Sequence, residues 1–207
     1  MSLPRSNDEV FLESAIKLFQ YYKKLGEGTI AQLNDAEVLR QPNEASNSIA
    51  LIVHHLSGNM LSRWTDFLTT DGEKPWRNRE SEFAEAYPDK ATLMQAWEKG
   101  WRCLLNALEN LKPEDLSKII YIRNEGQTVL EAIQRQLTHY SSHVGQILFQ
   151  AKAIKGNDFE SLSIPKGGSD SFNKEKFSQE KSHRHFTDAL KIFSDTNSKK
   201  GNLIHKS

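Results

Sequence analysis

The sequence predicts an all-α protein: a four-helix bundle followed by a polar, partly disordered C-terminal tail. Three observations carry that class. Four stretches place apolar residues at helical spacing. No strands alternate with them, and beyond Ile154 apolar residues thin out in favour of Gly, Ser, Lys and Asn. Amphipathic helices bury their stripes by packing on one another, so four of them make one core. The bundle domain is assigned to residues 1–173 and the polar tail to 174–207. Within the tail, 174–194 reads as a marginal helix and the last dozen residues as disordered.

The first helix opens on a capping box, Ser6 with Glu9, in which side chain and backbone satisfy each other's orphan amides. Val10, Phe11, Leu18, Phe19, Tyr22 and Leu25 follow, and glycines at 26 and 28 weaken its end, so it is expected to stop in the 20s. A short turn from Asp35 to Arg40 is stopped by Pro42. Asn47 or Ser48 caps the second helix, whose stripe runs Ile49, Ile52, Val53, Leu56, Met60, Trp64 and Phe67. Residues 70–88 read as a polar connection across one end of the bundle. The third helix begins near Asp89 and ends before Pro113. Ile119 to Ile122 is a short β-favouring run with a turn at Asn124 to Gly126, too brief for a sheet domain. Thr128 and Glu131 form a second capping box and start the fourth helix, with Val129, Ile133, Leu137, Tyr140, Val144, Ile147 and Leu148 on one face.

Charge narrows the function classes. The 207 residues carry 27 basic and 27 acidic side chains, so nothing marks the chain as an electrostatic binder of nucleic acid or membrane. Its longest apolar run is a few residues around Ile49–Val53, too short to span a bilayer, and MSLPRSNDEV lacks the apolar core of a secretory signal. One cysteine, Cys103, excludes an internal disulfide framework and suits a reducing compartment. A cytoplasmic protein is the expectation.

Seven histidines are present, and three of them, His183, His185 and His205, lie in the tail. His139 and His143 stand four apart, which stacks two imidazoles on one helical face roughly 5–6 Å apart at Cβ. Such a pair is a weak motif by itself, equally at home at a core edge. The second helix supplies another source in His54 and His55, and bundle interiors hold metals between facing helices. At about 100° per residue, His55 lies roughly 100° from the centre of its helix's apolar stripe and His54 roughly 160°. His55 is therefore the better ligand, and His54 faces solvent or supports the site from behind. Three neutral imidazoles leave coordination positions for water or substrate, as catalytic zinc sites do.

NSIALIVHHLSGNMLSRW (47–64), FLTTDGEKPWRNRE (67–80), LTHYSSHVGQI (137–147) and LSIPKGGSDSFN (162–173) together resemble the DinB/YfiT-like superfamily, within it a branch of single-domain bacterial proteins. The resemblance covers about residues 8–173 and rests on the combination, not on any one stretch. It implies a four-helix bundle in up-up-down-down order and a metal held by His55, His139 and His143. The metal in that superfamily is nickel, zinc or iron. Its members include S-transferases that act with a low-molecular-weight thiol, and an isomerase.

Around the three histidines, Gln136 and Gln146 are placed to orient the rings or a coordinated water, and Asn59 follows His55 by one turn. Tyr140 is a hydrogen-bond donor on the apolar stripe, where core packing is the simpler role. Arg63 suits an anionic substrate or an ordinary salt bridge. The general base is unassigned. Two functions follow as expectations. One is a metal-dependent enzyme activating a thiol or a water on a small-molecule substrate, S-transferase-like or hydrolase-like. The other is a non-catalytic metal-binding or stress-response bundle, compatible with a homodimer.

Overall fold

Caps decide where the long helices begin. In the computed structural model, which describes residues 5–84 and 87–189, α1 spans Asn7–Ala31 behind the Ser6–Glu9 box. The Ser6 hydroxyl accepts from the Glu9 amide at 3.2 Å, and the Glu9 carboxylate accepts from the Ser6 amide at 2.6 Å. The helix does not stop in the 20s; it runs through both glycines. Gly26 is there for contact, because a Cβ would come within 2.5 Å of the Trp97 ring. Close packing on an indole outweighs the poor helix propensity of glycine, which is about 1 kcal/mol.

The short α2 (Asp35–Leu39) follows, and then α3 (Ile49–Trp64), whose cap is Ser48: its hydroxyl accepts from the Leu51 amide. Phe67 lies beyond the end of α3 and is still buried. The connection after α3 contains one helical turn, α4 (Ser81–Ala84), and leads to α5 (Lys90–Glu109), capped by Asp89. Strands β1 (Ile119–Ile122) and β2 (Glu125–Thr128) form an antiparallel hairpin, Ile119 opposite Thr128. Its turn is centred on Arg123 and Asn124, both at positive φ (56° and 63°), one residue earlier than expected. The Asp71 carboxylate accepts from both of their amides, at 2.8 and 2.9 Å, and so holds a conformation that arginine seldom adopts. The fourth long helix, α6 (Val129–Lys155), starts at the expected Thr128–Glu131 box.

Side chains from three of the long helices meet at the centre of the core. Phe19 of α1, Trp101 of α5 and Tyr140 of α6 are fully buried, with ring centroids 6.0–6.4 Å apart. Contacts between helices also give their directions. Lys90 donates to the carbonyls of Ala31 and Leu33 and Lys23 pairs with Glu98, so α1 and α5 are antiparallel. Ser57 donates to the Ala96 carbonyl and Thr65 meets Cys103, so α3 and α5 are parallel. Gln150 reaches the Asn47 carbonyl while Trp64 meets Tyr140, so α3 and α6 are antiparallel.

The all-α bundle is the expected class, but the order is up-down-down-up, not up-up-down-down. Parallel neighbours need a connection that travels the length of both. Residues 65–84 and 87–89 mark its path back along α3: Ser62 donates to the Gly72 carbonyl, Gly58 faces Glu82, and the His54 ring lies against that of Tyr87 at 45°. This segment is a longitudinal crossover and not the end-crossing loop expected from its polarity.

Two compact units part between Phe159 and Glu160. The second contains α7 (Ser169–Phe177) and a 3₁₀ turn at Phe186–Ala189. The helix expected over 174–194 is present there only as the end of α7 and that turn, and 190–207 lie outside the described residues. No helix among the described residues is long and apolar enough to cross a membrane.

Candidate metal centre

Antiparallel packing of α3 on α6 brings His55 against His139 and His143. The His55 Nε2 lies 3.3 Å from the His139 Nε2, which lies 3.1 Å from the His143 Nε2. One ring nitrogen from each of the three falls within 4.8 Å of the other two. His55 is 5 % exposed and the other two are half-buried. His54, its neighbour in sequence, stays outside the cluster with its ring centroid 4.8 Å from that of Tyr87. The member of the pair that joins the cluster is the one the helical wheel turns toward the core.

Each ring is held by its other nitrogen. The Nδ1 of His55 is 3.0 Å from the Glu82 carboxylate, that of His143 is 2.9 Å from the Gln146 carbonyl, and that of His139 is 3.4 Å from the Gln136 carbonyl. An ionised carboxylate and an amide carbonyl only accept, so the protons reside on Nδ1. The three Nε2 lone pairs are then left facing one another. Lone pairs so arranged repel unless a cation lies between them. Nitrogens about 2.0–2.1 Å from a tetrahedral zinc stand roughly 3.3–3.4 Å apart, and the two shortest separations lie close to that edge. Three neutral imidazoles with oxygen acceptors behind them are a donor set that fits a divalent transition metal.

The protonation energetics point the same way. Burial holds the His139 imidazole down to about 4, with His143, His55, Arg135 and Arg63 adding to the effect. Burial also lowers His143, helped by His55 and opposed by Gln146. For Glu82, burial works to raise the pKa, and the hydrogen bonds from Arg77 and His55 overcome it, so the carboxyl stays ionised below its ordinary range.

Glu82 and its partners are what reading the sequence missed. Glu82 is 2 % exposed and accepts from Arg77 twice, Nε at 2.7 Å and Nη2 at 2.8 Å. Next to it on α4, Phe83 stacks on the His55 ring at 4.9 Å and 29°. One signal was available. Asn78 stands three residues before Ser81, and its side chain accepts the Ser81 amide at 3.2 Å, which starts the turn.

The remaining candidates divide. The Tyr140 hydroxyl donates to the Asn59 carbonyl oxygen at 3.0 Å and accepts from the Trp64 indole at 3.2 Å; burial raises its pKa. Tyr140 is thus a core residue that also fixes Asn59. Asn59 and Gln136 line a cavity of about 240 Å³ in front of His55 and His139. Arg63 binds Glu73 at 3.2 Å and the Gly72 carbonyl while presenting to the same cavity. Cys103 touches Thr65 and lies away from the histidines.

Residues 6–168 match the family described as "Protein of unknown function (DUF1572)". The chain belongs to that family. No curated protein matches it. The span matched to DUF1572 contains the three histidines, the whole 65–89 crossover with Glu82, and the hairpin.

Proposed function

We propose that this DUF1572 protein is a metal-dependent enzyme with a divalent ion on His55, His139 and His143. One observation carries the reading: two of the three clustered imidazoles, His55 and His139, line a cavity, and no fourth His, Cys, Asp or Glu joins the cluster among the described residues. A structural metal is normally closed by four protein donors, whereas three donors and an open side leave room for a reactant. When bound, such an ion supplies Lewis acidity that lowers the pKa of a coordinated water or thiol toward neutrality.

The chain's own groups do the rest. Glu82 keeps His55 in one tautomer and one orientation, and Arg77 keeps Glu82 ionised. Gln146 does the same for His143. Tyr140 locks Asn59 so that its side chain lines the cavity in a fixed pose. Phe83 covers the His55 ring and keeps water from its flank. The likeness of 47–64, 67–80, 137–147 and 162–173 to the DinB/YfiT-like superfamily supports S-transfer from a low-molecular-weight thiol as the reaction type, with hydrolysis as its competitor.

The test is a paired screen of protein loaded in turn with nickel, zinc and iron. Thiol consumption is followed with electrophilic acceptors, and hydrolysis with esters and amides. Turnover that a chelator abolishes, and that His143→Ala lacks, is the expected result. Metal-loaded protein inactive in both arms would leave the second reading, a non-catalytic metal-binding bundle.

A further inference from the structure

The walls of the cavity beside the histidines carry five guanidinium groups: Arg63, Arg77, Arg79, Arg123 and Arg135. They arrive from separate parts of the fold. Arg63 comes from α3, Arg77 and Arg79 from the crossover, Arg123 from the hairpin turn and Arg135 from α6. No acidic side chain lines the cavity among the described residues. Like charges repel when gathered around one concavity. The strain registers on Arg63, whose pKa burial lowers and Arg77 lowers further, against the pull of Glu73.

Three of the five have structural partners. Arg77 is clamped on Glu82, while Arg63 and Arg123 share the Glu73 carboxylate at 3.2 and 3.0 Å. Arg79 and Arg135 have no carboxylate partner among the described residues; Arg79 lies over the Phe83 ring at 5.6 Å. Both are exposed, so neither holds the fold together. Two unneutralised guanidiniums at the mouth of a positively lined cavity are what recognition of an oxyanion requires, since the planar fork matches carboxylate and phosphate oxygens two at a time. At about 240 Å³ the space admits a small molecule and not a polymer.

We propose that the cavity takes a small oxyanionic substrate, a carboxylate or a phosphate ester, docked through Arg79 and Arg135 with its reacting atom toward His55 and His139. The word substrate rests on the metal-enzyme reading; the docking itself needs only the arginines. The charged group, gripped at the mouth, sets how far the rest of the molecule reaches toward the histidines.

Titration calorimetry with inorganic phosphate and with succinate, on metal-free and on zinc-loaded protein, tests this. The expected result is saturable binding of one anion per chain to the metal-free protein. The double variant Arg79→Gln/Arg135→Gln weakens it at least tenfold, and Arg102→Gln, an exposed residue of α5 outside the cavity lining, leaves it unchanged. Preference for succinate over phosphate, or the reverse, identifies the oxyanion. Binding that survives in the double variant overturns the docking, as does binding seen only with zinc and insensitive to the arginines. No binding in either form overturns it too. Failure of zinc to bind, with anion binding intact in the metal-free protein, would remove the metal reading and leave the docking standing.

Discussion

Glu82 concentrates the energetics of the site in one side chain. It is buried with Arg77, whose side chain is 2 % exposed, and the same carboxylate orients His55. Glu82→Gln keeps an oxygen for the His55 proton but removes the close counter-ion of buried Arg77, leaving it only Glu73 at 4.0 Å. Removing one partner of a buried pair costs on the order of 3–5 kcal/mol. Exchanging the carboxylate behind a ligating histidine for a neutral, weaker acceptor lowers metal affinity by roughly 10–100-fold. Urea melts and metal titrations of Glu82→Gln should show both losses; a variant equal to the parent in both would mean Glu82 is a bystander. Protonation at His139 gives a second prediction. Its ordinary pKa is 6.5 and the folded value about 4. Between those limits the unfolded chain binds a proton that the folded chain refuses, so this contribution is complete above about pH 6.5 and is lost as pH falls toward 4. The urea midpoint of metal-free protein should fall from pH 7 to 4.5 more steeply than that of His139→Asn. Equal slopes would contradict the assignment.

At the scale of elements, the crossover is what completes the site, and Gly58 is the position that admits it. A Cβ on Gly58 would collide with the Glu82 carboxylate. Helix propensity alone predicts that Gly58→Ala stabilises α3 by about 1 kcal/mol. The collision predicts the opposite, a less stable protein with weaker metal binding, and chemical denaturation of the variant decides between the two signs. The caps of α1, α3, α5 and α6 were legible because a cap is a local bargain between residues three apart. His55, His139 and His143 were legible because helical period fixes which face a residue occupies. Glu82 was not: it sits in RNRESEFAEAY, where two arginines are followed by three glutamates and nothing local distinguishes a buried carboxylate from a solvated one. The end of α1 was misjudged for a related reason, since the partner of Gly26 is Trp97, 71 positions away. The turn slipped by one residue because the two amides that stabilise Arg123 and Asn124 find their acceptor in Asp71, across the fold.

For the whole molecule, the order of directions follows from the crossover. With α3 and α5 parallel, their connection must return along α3, past the open side of the histidines. The bundle thereby holds its three clustered histidines on two helices and their support on a segment that would otherwise be a loop. A ligand that binds the folded chain and not the unfolded one stabilises the whole by mass action, about 2.7 kcal/mol at a hundredfold excess over Kd. In a domain of this length that raises Tm by roughly 5–10 °C. The same shift in His143→Ala would place the ion elsewhere. The most direct test of the three-histidine centre is the metal content of untagged protein reconstituted with zinc or nickel and freed of unbound ion. One ion per chain in the parent, and less than about a tenth of that in His55→Ala and His143→Ala with their helical content intact, is the result the structure predicts. Parental metal content in both variants would contradict it.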